Sequence, residues 1–228
     1  MLTKKKKLSK KEIKQDKLVT FYYKAYGYFE ENKTKILYYI VGLVAVVALS
    51  VFYIYHRNQQ NKEAGLELSR VIPSFDSGSY LEAIEGRAGS QNTGLKKIVS
   101  DFGGTENGET AKIYLADSYN MLGNYDEAFK YYKDYSGSID MYKATALAGQ
   151  GGYYASKGEF EKAAEFYAKA SRVSRSDVLN PGYLLQAGIN YLKAGKNSDA
   201  KDELTAIGKD YISSPEYREA NQYLSQLE

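Results

Sequence analysis

LADSYNMLGNYDEAFKYY, residues 115–132, is the stretch on which the fold turns. Its marks return downstream. Tyr119, Gly123, Tyr125, Ala128 and Tyr132 are followed by Tyr154, Gly158, Phe160, Ala163 and Tyr167, each 35 residues further on. Tyr191, Gly195, Ala200 and Leu204 form a third copy, each 37 residues beyond its counterpart, and the two additional residues fit the loop around Asn180-Pro181. A fixed period of this length marks a repeat array. One unit cannot bury its own apolar face, so three or more must stack.

Within each copy the glycine is expected to end a first helix, in a turn where positive φ is cheap only for glycine. Ala116, Gly151 and Gly188 are expected to face Ala128, Ala163 and Ala200. Small residues there let two helices approach, with the large aromatics wedged against the neighbouring repeat. The pattern resembles the tetratricopeptide repeat, whose unit is two antiparallel helices with small residues at the crossing. Leu115, Ala116, Tyr119, Gly123, Tyr125, Ala128 and Tyr132 carry the resemblance in the first copy; Gly151, Tyr154, Gly158, Phe160, Ala163, Tyr167 and Ala170 carry it in the second. Gly188, Tyr191, Gly195, Ala200 and Leu204 carry it in the third. Lys112 departs from it, standing where a large apolar residue is usual, and Asn197 replaces the aromatic after the turn. The resemblance implies an all-α fold, a tetratricopeptide-like helical-repeat solenoid, with repeats at about 109–140, 144–175 and 181–212 and a capping helix at 215–227 opened by Pro215.

Upstream the pattern weakens. Residues 95–102 lead through a Gly-rich loop, 103–108, into the first clear copy, and residues 80–84 read as a short partner to a helix over 64–72. That helix continues a different kind of segment. Residues 36–55 read ILYYIVGLVAVVALSVFYIY, twenty residues without a charge, twelve of them Leu, Ile, Val or Phe. As a helix they span about 30 Å, the hydrocarbon thickness of a bilayer. Those twelve residues favour insertion by roughly 4–7 kcal/mol. Tyr38 and Tyr39 mark one interface, and Phe52, Tyr53 and Tyr55 mark the other. The Ala48-Leu49-Ser50 triplet that could pass for a cleavage site lies inside the apolar run, so an uncleaved single-pass transmembrane helix is expected.

Charge sets the expected orientation. Residues 1–35 carry eleven Lys against four acids, whereas residues 56–228 carry twenty Lys and Arg against twenty-four acids. By the positive-inside rule the basic tail, 1–35, is cytoplasmic and the repeat domain, 56–228, lies outside the cytoplasm, in a bacterium the periplasm. The lysines beside a bilayer are thereby explained without nucleic acid. In the tail, Leu18, Phe21, Tyr22, Ala25, Tyr28 and Phe29 recur at helical spacing, with Lys17 and Lys24 on the other side. They read as an amphipathic interfacial helix; docking to a membrane partner is the alternative.

No catalytic set can be assembled. The chain has no Cys, and its one His, His56, sits at the membrane border. Neither a nucleophile–base pair nor a zinc site follows, and no cofactor or metal is expected. Gly149, Gly151 and Gly152 fall within a helix, so they do not make a phosphate loop. Binding of other proteins remains. By the repeat pattern, the concave face made by the first helices would present Ile113, Asp117, Asn120 and Met121, then Ala148, Gly152, Ala155 and Ser156, then Leu185, Ile189, Leu192 and Lys193. The Lys/Asn set that some relatives use to grip a C-terminal carboxylate is missing, with Ile113 and Asp117 in its place.

The whole layout, from Lys-rich tail through single anchor and degenerate first unit to the capped repeats, resembles the YfgM-like ancillary subunits of the Sec translocon. That resemblance implies association with the SecYEG channel in the plasma membrane and contact with periplasmic chaperones or translocating chains. The competing expectation is an envelope scaffold of another kind, Tol–Pal-like or coordinating a secretion system.

Overall fold

The computed structural model describes residues 10–174 and 178–227, with side chains described from residue 17 onward. Residues 1–9, with four of the tail's lysines, lie outside the described residues, as do residues 175–177. The described chain is all-helical, without strands. It divides into two compact units, Met1–His56 and Arg57–Glu228.

The first unit is the N-terminal stretch of helix α1 (Lys10–Asp76). It holds the one segment among the described residues long and apolar enough to cross a membrane, and no residue of that apolar window is buried. Leu37, Leu43, Val47 and Phe52 are 54–68% exposed. A helix that is apolar on all sides and buries none of them against protein is suited to hydrocarbon. Ser50 donates its hydroxyl to the Val46 carbonyl at 2.8 Å, so its polar group is satisfied inside the helix. Residues 18–29 are helical and exposed too. Val19, Tyr23 and Tyr26 are exposed along with Phe21 and Tyr22. Helix α1 continues unbroken through residues 29–36.

The second unit begins with the end of α1, where Ala64, Leu68 and Val71 are buried. Leu68 and Val71 pack with Ala83 and Ile84 of α2 (Tyr80–Glu85), Leu95 and Ile98 of α3 (Leu95–Phe102), and Ala111 and Leu115 of α4 (Glu106–Met121). The loop before α4 is shorter than expected, because Thr105 caps the helix by accepting from the Gly108 N–H at 3.1 Å. Gly108 therefore lies inside the first turn of α4. A Cβ on it would come within 1.8 Å of the Phe102 carbonyl oxygen, so only glycine fits. The Asn107 backbone N–H donates to the Asn61 side chain at 2.8 Å, and the Asn107 amide to the Asn61 carbonyl at 2.8 Å, tying α4 to α1.

Three helix pairs follow: α4 with α5 (Tyr125–Asp134), α6 (Asp140–Ser156) with α7 (Phe160–Ser171), and α8 (Asn180–Lys193) with α9 (Asn197–Asp210). Helix α10 (Glu216–Leu224) packs on both α8 and α9. Helix α5 packs on α4 and α6, α7 on α6 and α8, and α4 also touches α6. The turn inside each pair is the same. Gly123, Gly158 and Gly195 have φ of 77°, 76° and 74°. The N–H that follows each glycine reaches back five residues, Asn124 to Tyr119, Glu159 to Tyr154 and Lys196 to Tyr191, all at 2.9 Å. This is the hydrogen-bond pattern of a helix ending on a left-handed residue. The periodicity does not reveal that Gly78 (φ 77°) closes α1 onto α2 likewise, with the Ser79 N–H donating to the Ser74 carbonyl at 2.9 Å.

The small residues do admit close approach, though a side chain of the same pair occupies the space. A Cβ on Gly188 would stand 2.6 Å from Leu204 Cγ, and one on Gly151 3.0 Å from the Tyr167 ring. The large aromatics also pack within their own pair as well as across pairs. Tyr119 stacks on Tyr131 (5.8 Å between centroids) and Tyr154 on Phe166 (5.3 Å), whereas Phe129 stacks on Tyr153 of the next pair (4.1 Å). In the third copy the matching position holds Glu203, which pairs with Arg172 at 2.5 Å.

Lys112, the departure from the repeat pattern, is buried and paired. Its ammonium lies 2.8 Å from Glu109 and 2.7 Å from Asp134, and Glu109 also accepts from the Ser136 N–H at 2.7 Å. Burial would lower its pKa; the hydrogen bonds to Asp134 and Glu109 outweigh this and raise it. The ion pair stands in for an apolar side chain, clamping α4 to the end of α5.

Candidate protein-binding face

Helices α4, α6 and α8 are the first helices of the three pairs and carry all twelve residues expected to form a binding face. They do not form a uniform surface. Ile113 and Leu185 are 2% and 5% exposed and belong to core clusters, so they are not the surface residues expected, although Leu185 also borders a cleft beside Glu216 and Glu219 of α10. Asp117, Ala148, Gly152, Ala155, Ile189 and Leu192 are partly buried, and Asn120, Met121, Ser156 and Lys193 are exposed. The Lys193 ammonium lies over the Phe160 ring, 5.4 Å from its centroid, and Ser156 turns its hydroxyl back to the Tyr153 carbonyl at 2.7 Å. Those two polar groups are engaged within the fold.

What distinguishes the face is a set of tyrosines that the repeat pattern assigned only to packing. The buried Tyr132, from α5, passes its ring over Gly149, where a Cβ would stand 2.4 Å from it. Its hydroxyl donates to Asp117 at 2.5 Å. Tyr142 of α6, hydrogen-bonded to Tyr114, lies near the same carboxylate. Tyr167 of α7 puts its hydroxyl 3.3 Å from where a Gly152 Cβ would be. The signal for these residues was present in the chain, since Gly149, Gly151 and Gly152 leave α6 without side chains and the rings fill that room.

Asp117 is the charge at the centre of this set. Burial pushes its carboxyl up to about 6, and the Tyr132 hydrogen bond only partly opposes that. It is in no ion pair among the described residues. Burial beside the carboxylate likewise pushes the Tyr142 phenol up to about 12. A separate groove of about 580 Å³ is lined by Asp202, Glu203, Asp210, Arg172 and Tyr211, with Leu184 of α8.

Among the described residues no group of three or more His, Cys, Asp or Glu could hold a metal ion. Compared with models of known families and with curated proteins, the chain matches none.

Proposed function

We propose that this chain is a membrane-anchored adaptor for protein–protein interaction, a binding protein and no enzyme, in which a tetratricopeptide-like solenoid presents the α4–α6–α8 face to polypeptide. The observation that carries the reading is the threefold recurrence of one glycine-closed helix pair beside a single apolar span. Such arrays act as extended docking surfaces. By the asymmetry of lysines the tail is cytoplasmic and the domain periplasmic. Within that class the layout favours a YfgM-like role at the Sec translocon, contacting emerging chains or periplasmic chaperones.

Co-purification from detergent-solubilised membranes tests the partner. Enrichment of channel subunits is expected; their absence alongside recovery of other envelope machinery would favour the scaffold reading. Photoreactive residues at Met121 and Ile189 test the face and should crosslink to polypeptide in intact membranes. Silence at both positions, with crosslinking from Asp202 in the separate groove, overturns the assignment of the face.

A further inference from the structure

The seams between successive first helices are not filled alike. Tyr132 crosses from α5 to lie against Gly149 of α6 and reach Asp117 of α4, so a ring closes the α4–α6 seam. Tyr167, its counterpart in the second copy, lies against Gly151 and Gly152 of α6. The third copy has Leu204 at this position, buried against Gly188 and without a ring. Between α8 and α10 a cleft of about 420 Å³ remains open. That volume falls among those of small ligand pockets, about 300–1,000 Å³.

The walls of the cleft divide by chemistry. Leu179, Tyr183, Leu185 and Pro215 give it an apolar lining, and its charged lining residues, Glu216 and Glu219 of α10, are both acidic. Three apart on one helix, the two carboxylates share a face. Neither is in an ion pair among the described residues. Arg218, the basic residue of α10, does not line the cleft. Lys193, the basic residue of α8, stands about 10 Å along the helix from Gln186 in the cleft wall, with its ammonium over Phe160. Glycine keeps the cleft open: within 4 Å, a Cβ on Gly182, in the first turn of α8, would meet only Glu216 Oε1, at 3.8 Å.

We infer that the α8–α10 cleft takes a polypeptide segment in which an apolar side chain stands beside a Lys or Arg, the apolar group entering the cleft and the cation pairing with Glu216 and Glu219. This rests on the proposed binding role of the α4–α6–α8 face, which the cleft extends at Leu185, and names the chemistry of its partner. Burial of the apolar group supplies affinity, while two carboxylates bordering an apolar wall favour a cation and repel an acidic segment.

The test uses the full-length protein in detergent and an immobilised array of 15-residue Ala/Ser peptides. Each carries at its centre Leu or Ala followed by Lys, Arg, Gln or Glu. Leu-Lys and Leu-Arg peptides should bind about tenfold more tightly than Leu-Gln or Ala-Lys peptides, and Leu-Glu peptides more weakly than Leu-Gln. Glu216→Gln combined with Glu219→Gln should abolish the preference for Lys and Arg while leaving Leu-Gln binding unchanged. Gly182→Leu fills the cleft without changing charge, and should weaken Leu-Lys binding about tenfold at an unchanged melting temperature. Removing two charges from the separate groove, by Asp202→Asn with Asp210→Asn, should change neither. Binding without preference for Lys and Arg overturns the inference, as does a preference that survives the double Gln variant or disappears in the double Asn variant. Native binding by Gly182→Leu overturns it as well. Failure of every peptide, with crosslinks at Met121 and Ile189 present, overturns it too and leaves the face as a binding surface. Loss of those crosslinks is the separate result that removes the underlying reading.

Discussion

Gly42 and Gly108 are the same residue in two different surroundings. Around Gly42, in the apolar span, nothing lies within 4 Å of where a Cβ would be; around Gly108 that atom would strike the Phe102 carbonyl at 1.8 Å. Their neighbours differ likewise. Leu43 and Val44 are 65% and 61% exposed, whereas Leu95, Leu115 and Leu204 are 0% exposed. In the apolar span, side chains suited to hydrocarbon need meet no particular partner, so identity and spacing are loosely constrained. In the repeat domain they must interlock, and small residues are as much a part of the core as large ones. Composition governs the first region and shape governs the second.

The largest effect should come from changing the solvent preference of the anchor. Lysine at Val44 and Val47 together costs about 5–7 kcal/mol of insertion free energy, enough to offset what the apolar residues supply. The double variant should leave the membrane pellet on carbonate extraction; its full retention would break the contrast. Next comes Gly108→Ala, which should lower stability by about 2–4 kcal/mol, because backbone must move to admit the methyl group. Gly42→Ala should shift the same thermal melt of the solubilised protein by less than about 0.5 kcal/mol. Equal melts for the two variants would sink the idea that shape matters in only one region.

Asp117 gives a smaller, pH-dependent effect. Burial pushes its carboxyl up to about 6 in the folded chain, from an ordinary 3.8. Between those values the native state holds a proton that the unfolded chain has lost. Stability is therefore lost as pH rises through this window, and the cost is complete above about pH 6. Asp117→Asn should stabilise by about 1–2 kcal/mol at pH 8, a value discounted for partial exposure, and the gain should fade toward pH 4. A pH-independent difference in denaturant midpoints would contradict this. The smallest effect is at the turns. Gly158 sits at φ 76° with open space around it, so Gly158→Ala meets backbone strain alone and should cost about 1 kcal/mol. Hydrogen exchange at Glu159, whose N–H closes that turn, should quicken; unchanged exchange would show that the turn tolerates a side chain.

The repeat turns were legible because glycine at positive φ is a local requirement, independent of what packs around it. Gly123, Gly158 and Gly195 announce themselves by spacing. Gly78 makes the same turn unannounced, because α2 is too short to show the apolar signature of a second helix. The binding face was only half legible. Periodicity places residues on a side of a helix but does not say whether the next helix covers them, so Ile113 and Leu185 were expected at the surface and are buried.

From the chain alone came the apolar span, the charge asymmetry, the repeat period and the glycine turns, all properties of single segments meeting solvent or their own backbone. The tertiary structure alone decided which ring fills which glycine, that Lys112 is clamped between two acids, and that Asp117 lies partly buried under a tyrosine hydroxyl, in no ion pair among the described residues. Those facts depend on side chains from different helices meeting at ångström distances, which no spacing along one chain encodes.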